Sequence, residues 1–196
     1  MIEINASLRR IMDEPSFPCH RVAVDEGDPV AHFLKHRPNS NWVFLGDHAL
    51  QSSIQAWTAW TQARRNEFRG TSVARSLDAE FMRYLSGTHH VSEAFQRAGY
   101  LKGSGFGWVV QLPDAEHSTN TYEIEQPMPL INEDFESTVH ELIEHLGWTK
   151  STSAMHYSIE GMKRLGISVE DWMGPVQDDA LIAHIIMADD QSSSHR

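Results

Sequence analysis

The sequence predicts a single α+β domain: a small mixed or antiparallel sheet packed with several helices. Two observations lead there. Of the 196 residues, 40% are hydrophobic and six are tryptophan, a globular composition large enough for one core. Alternating apolar and polar segments come first, then helical periodicity, then a strand, then helices again. That order lacks the regular strand–helix alternation of a parallel doubly wound sheet. No internal repeat or low-complexity segment breaks it. The domain is expected over residues 1–188, with a disordered tail at 189–196.

The elements follow in chain order. "MIEINASLRR" alternates with period two and reads as a strand, and "CHRVAVD" as a second. "DHALQSSIQAWTAWTQARR" reads as a helix capped by Asp47, with Leu50, Ile54 and Trp57 along one face. "RSLDAEFMRYLSG" is a helix with Ser76 as cap, a Leu77–Phe81–Leu85 stripe and Gly87 as its stop. Thr88 then caps a short helix, "HHVSEAFQRAG", with Val91 and Phe95 inward. "GFGWVVQLP" reads as a strand closed by Pro113, and "DAEHSTNTYEIEQPMP" as a loop with a short edge strand. Asn132 caps "EDFESTVHELIEHLG". "SAMHYSIEGMKRLG" follows as a helix bearing Met155, Ile159 and Met162, and "QDDALIAHIIMADD" as one apolar nearly all round.

Charge narrows the function classes. The net charge of −11 opposes nonspecific nucleic-acid binding by the molecule as a whole. Its distribution is uneven: residues 61–102 carry +3 and the remainder −14. A single cysteine, Cys19, rules out an intramolecular disulfide and a cysteine-rich zinc site. It fits a reducing cytoplasm, or the nucleus if the source is eukaryotic. No signal peptide or membrane span is expected, and no membrane partner.

Four motifs invite a chemical reading, and spacing answers each. In "HELIEH", His140 and His145 stand five apart, so their rings diverge by about 140° instead of sharing a face as a zinc-protease pair does. Phe135, Val139, Leu142 and Leu146 form the apolar stripe of that helix, with the histidines beside it. His32 and His36 do have metal-ligand spacing, but the sequence signals no third ligand, and they read as surface histidines. The glycines of "GSGFGW" precede a strand, whereas a phosphate loop leads into a helix. Cys19 and His20 are strand neighbours, so they face opposite sides and cannot cooperate. No catalytic residue, metal site or cofactor is therefore expected.

"YLSGTHHVSEAF" is the remaining motif. It lies inside the positive stretch, with His89 and His90 at the start of a helix, where free N–H groups and the dipole favour anions. Adjacent helical side chains point about 100° apart, so the two rings do not chelate one ion. "ARSLDAEFMRYLSGTHHVSEAFQRAG" resembles the hallmark of the small regulatory subunit of the KEOPS complex, the TPRKB family. The likeness extends over about residues 47–112, and more weakly to the N-terminal strands and "ALIAHIIMAD"; residues 148–176 read as an insertion. It implies a non-catalytic accessory subunit for the threonylcarbamoyladenosine modification of tRNA. Such a subunit binds and regulates the KEOPS kinase/ATPase subunit, meets the other KEOPS subunits indirectly, and in archaeal members holds the tRNA 3′ CCA end.

Carried onto this chain, the resemblance implies RNA contacts at Gly87, Thr88, His89, His90 and Val91, with charge from Arg75, Arg83 and Arg97. Family members often have Arg and Gln where His89 and His90 stand. The apolar segment with Ile182, Ile185 and Ile186 corresponds to the family's kinase-facing region, with burial in the domain's own core as its equal alternative. Two other function classes stay open: a stand-alone α+β protein-interaction module, and an enzyme using histidines as acid and base.

Overall fold

The computed structural model describes residues 16–25, 27–119, 125–130, 132–169 and 177–190. It shows an α+β domain, built on a four-stranded antiparallel sheet with a separate two-stranded ribbon. The sheet takes β1 (Cys19–Ala23), β2 (Trp42–Gly46), β3 (Phe106–Gln111) and β6 (Thr149–Lys150), in the order β2-β3-β1-β6. Register sets Val22 opposite Gly107 and Phe44 opposite Val109. The expected strand at "MIEINASLRR" lies outside the described residues, as does the expected tail from Gln191 on, whereas Asp189, also assigned to that tail, is held by Arg83 and Tyr84.

Strand alternation sends side chains to two faces, and each face has its own apolar cluster. Val43, Leu45, Trp108 and Val110 point to the larger one. It is covered by α2 (Ser53–Arg69), α3 (Leu77–Leu85), α4 (Val91–Ala98), α6 (Ile159–Leu165) and α7 (Gln177–Ile186). Val22, Trp42, Phe44 and Val109 point to the smaller one, closed by α1 (Pro29–His36) and α5 (Phe135–His145) through Phe33, Val139, Leu142 and Ile143. Cys19 packs on the first cluster and His20 stacks on Phe135 of the second, so the neighbours do face opposite sides. Burial pushes the Cys19 thiol up to about 12, which leaves it an unreactive apolar filler.

Several sequence expectations are corrected. α2 begins at Ser53 and not at Asp47, with Ser52 as cap, because the Asp47 carboxylate is taken by Arg21 at 2.6 and 2.9 Å. β2 and α1 went unread. All five β2 residues are buried, a run too short for periodicity to classify, and Pro38 obscured the eight-residue α1. On α4 the inward residues are Ala94 and Ala98, while Phe95 is 52% exposed and Val91 half-buried. Small alanines let α4 lie close on α3, and the large ring is turned out. α5 is capped at Asp134, with Asn132 Oδ1 accepting from the Asp134 N–H at 3.0 Å. α6 starts only at Ile159, so Met155 precedes it and Ile159 is solvent-facing. Between residues 114 and 130 the chain forms a ribbon of β4 (Ala115–Thr119) and β5 (Glu125–Pro129). Pro113 at its root accepts hydrogen bonds from Trp60 and Arg64 of α2.

The segment 148–169 is woven into the fold. Trp148 stacks in the smaller cluster, β6 pairs with β1, and Met162 and Leu165 enter the larger cluster.

Candidate functional site

The Ser-Gly-Thr-His-His stretch makes the corner between α3 and α4. Helix α3 ends at Leu85, and Gly87 supplies the left-handed turn, φ +54, that stops it. The Gly87 N–H donates to Tyr84 O at 3.0 Å and the Thr88 N–H to Arg83 O at 3.2 Å. Thr88 is buried. Its hydroxyl donates to the Glu93 carboxylate and accepts from the His90 N–H at 3.2 Å. Glu93 accepts from Arg97 at 2.6 Å, and Arg97 also donates to Ser86 O at 2.9 Å. The corner is thus a closed ring of polar contacts. Glu93 already places a carboxylate in the first turn of α4, which meets the dipole that the sequence had offered to an anion.

Beneath the corner lies Arg83, fully buried. It donates to Glu80 at 2.9 Å, to Asp189 at 2.7 Å and to Thr88 O at 3.2 Å, and lies over the Tyr84 ring. The Tyr84 hydroxyl donates to the other oxygen of Asp189 at 2.7 Å. Burial by itself would push the Glu80 carboxyl up. Its bonds from Arg83, the Ala74 N–H and Asn66 outweigh that and hold it below its ordinary value. These contacts tie Asp189 to α3.

Helix α7 closes the corner from the other side. A Cβ on Gly87 would overlap the His184 ring. His184 Nε2 donates to Leu165 O at 3.0 Å, and burial lowers its pKa despite further bonding to the Ser86 backbone. Ile185 is buried in the larger cluster and Ile182 half-buried, while Ile186 and the neighbouring Met187 are 54% and 57% exposed.

The expected site residues therefore separate. Arg83, Gly87, Thr88 and Arg97 come together, but as the frame of the corner. Arg83, Gly87 and Thr88 are buried with their donors engaged, which corrects the expectation that they meet a ligand directly. Ile185 is likewise core and not contact surface. Val91 is half-buried beside the corner. His90 is exposed, with no side-chain cap bond, and Arg75 is exposed on the α2–α3 loop. His89 is half-buried, its Nδ1 enclosed without a hydrogen-bond partner among the described residues. The two rings meet edge to face with centroids 6.2 Å apart, so they address different directions.

No protein-family model and no curated protein matches the chain.

A second polar cluster, which sequence reading missed, joins β1, α5 and β6. His20 Nε2 is 3.0 Å from both Glu136 oxygens and 3.1 Å from Lys150 Nζ. Lys150 only donates, so a neutral Nε2 accepts from it, whereas a protonated Nε2 donates to Glu136. Burial lowers the His20 pKa and Glu136 acts against that. Its residues come from β1, α5 and β6, 116 or more positions apart in two of the three pairs, which no local pattern signals. Among the described residues no helix is long and apolar enough to cross a membrane.

Proposed function

We propose that this protein is a non-catalytic accessory subunit of a KEOPS-type complex, serving threonylcarbamoyladenosine modification of tRNA. It docks on the kinase/ATPase subunit and offers a surface to the tRNA 3′ end. One observation carries the reading. The stretch that resembles the family's hallmark is a rigid corner bolted to the C-terminal helix, with exposed apolar side chains at that helix's end. A protein-binding patch has that character, since Ile186 and Met187 are large, apolar and adjacent.

The RNA-facing part rests on fewer residues than the sequence offers. His90 and Arg75 are the exposed members, with Arg97 partly exposed. Phosphate contact by these groups makes affinity fall with salt, and an imidazole stacks on an unpaired base. A second reading, a protein-interaction module without RNA binding, has its own observation. Arg64, Arg83 and Arg97, three of the seven cations of the positive stretch, are paired with carboxylates.

Co-purification with a KEOPS kinase subunit tests the docking. The Ile186→Glu/Met187→Glu variant is expected to fold normally and to lose the kinase, and retention of the kinase would overturn the reading. Binding of tRNA with and without its CCA end separates the two readings. An Arg75→Glu/His90→Glu variant is expected to lose the preference for the intact end. Equal, negligible binding by the parent protein would select the protein-only module.

A further inference from the structure

One ring nitrogen in this fold faces two partners that it cannot serve together. His20 Nε2 lies 3.0 Å from both oxygens of Glu136 and 3.1 Å from Lys150 Nζ. A carboxylate only accepts and an ammonium only donates. Nε2 meets Lys150 with a lone pair and Glu136 with a hydrogen, so each protonation state favours one neighbour at the expense of the other. The ring is held in place by stacking on Phe135 of α5, with centroids 5.5 Å apart and planes 13° from parallel. Among the described residues, the charged groups acting on it are Glu136 of α5 and Lys150 of β6. Its neighbour across the sheet, Val109 of β3, is apolar. Desolvation raises the Glu136 carboxyl, but His20 and Lys150 outweigh it and hold it below its ordinary value. Glu136 therefore stays an acceptor while an imidazole titrates.

The two neighbours belong to elements of unequal strength. Helix α5 is locked by Val139, Leu142 and Ile143 in the smaller cluster. Strand β6 is two exposed residues, Thr149 and Lys150, at the edge of the sheet beside β1. Residues 151–158 after it form no helix or strand. This stretch is pinned at one end by buried Trp148, and at the other by the Ser158 N–H, which donates to Gln51 Oε1 at 2.6 Å. In between, the Ser151 N–H donates to Arg21 O at 2.8 Å. A short edge strand with few buried contacts is where local opening costs least.

We infer that His20 is a proton-operated selector between β6 and α5: the neutral ring holds Lys150 and keeps β6 closed on β1, and the protonated ring turns to Glu136 and loosens residues 149–157. The neutral form is the Nδ1–H tautomer, because that one leaves Nε2 a lone pair for Lys150. After protonation, Nε2–H donates to Glu136, and the ammonium beside it meets a like charge. Lys150 keeps a longer contact to Glu136, at 3.4 Å, so β6 loosens without detaching. Burial lowers the His20 pKa; Glu136 opposes this and Lys150 adds to it, so the change falls below the ordinary value of about 6.5.

NMR of the full-length protein from about pH 8 to about pH 5 tests this without mutation, spanning the imidazole range. The His20 ring nitrogens are expected to pass from the Nδ1–H tautomer to the imidazolium. The protection factor of the Ser151 amide, corrected for intrinsic exchange, is expected to fall about two- to fivefold with the same midpoint, the size of a partly exposed ion pair. Lys150→Met is expected to raise that midpoint and to leave Ser151 protection indifferent to it, whereas Glu136→Gln lowers the midpoint. A neutral ring protonated at Nε2, a ring still neutral at the acid end, or a His20 transition without change at Ser151 overturns the proposal. So does a Lys150→Met variant that keeps the parental response at Ser151, or a midpoint that moves the opposite way in either variant. Amide spectra of the variants separate loss of the selector from loss of fold.

Discussion

Arg83 illustrates how one residue's environment overrides its type. A guanidinium with no solvent exposure is retained because Glu80, Asp189 and two carbonyls satisfy it. Removing it leaves the buried Glu80 without its counter-ion, held only by Asn66 and the Ala74 N–H. Arg83→Met is expected to lower unfolding free energy by about 3–5 kcal/mol in denaturant titration. Adding Glu80→Gln should recover part of that loss, since the stranded charge is then gone. Substitution here reports on folding, so it cannot serve as a test of RNA contact. Gly87 is the second case. Gly87→Ala is expected to cost at least about 1–2 kcal/mol for the left-handed backbone alone, plus the displacement of His184. A variant as stable as the parent would show that α7 is less tightly seated than described.

Among the elements, α7 and the turn before α2 each hold a histidine kept neutral. Burial lowers the pKa of His184, with Arg97 adding repulsion, and burial lowers that of His48, with Arg164 adding the same. In the unfolded chain both titrate near about 6.5. As pH falls below that value the unfolded chain takes up protons that the folded chain refuses, so stability drops until the lower folded values are reached. Melting temperature is expected to fall between pH 7 and pH 5.5. His48→Gln/His184→Gln should flatten that slope while lowering the plateau. A variant with the parental slope would assign the response to other histidines. Lower still, Glu80 contributes in the same direction, because its depressed pKa stabilises the fold only while it is ionised.

The elements also show what sequence could reveal. Leu77, Phe81 and Leu85 announced α3 because a stripe at i, i+4, i+8 has one physical meaning, and all three are buried. Gly87 announced the stop because few residues accept positive φ. β2 was invisible, since five buried residues carry no alternation. The burial of Arg83 was invisible too: its partner Asp189 lies 106 positions away, and composition treats arginine as surface. The same separation hid His145 from His36 and His20 from Lys150. Local pattern thus gave the helices of the corner, while the pairing that decides which side chains stay free is a property of tertiary contact.

At the scale of the molecule, the sheet divides the protein into two apolar clusters of unequal size. Residues 148–169 contribute to both and extend the sheet at its β1 edge. Replacing residues 149–176 by a short Gly/Ser link is therefore expected to abolish a cooperative thermal transition. A cooperative melt in the shortened chain would show the segment to be an appendage. The acidic whole and the positive stretch are reconciled at this scale as well. Several of the cations serve internal ion pairs, so the charge that a partner meets is smaller than the sequence count suggests.

The contact between Gly87 and His184 has a spectroscopic consequence. The missing side chain at position 87 leaves its α-hydrogen directed at several atoms of an aromatic ring at once, so it lies over the face of the imidazole. Ring current there shields the proton, and its resonance is displaced upfield of ordinary glycine signals. That single line reads out the seating of the C-terminal helix against the corner, and follows it through partner binding, acidification or mutation without any label being attached.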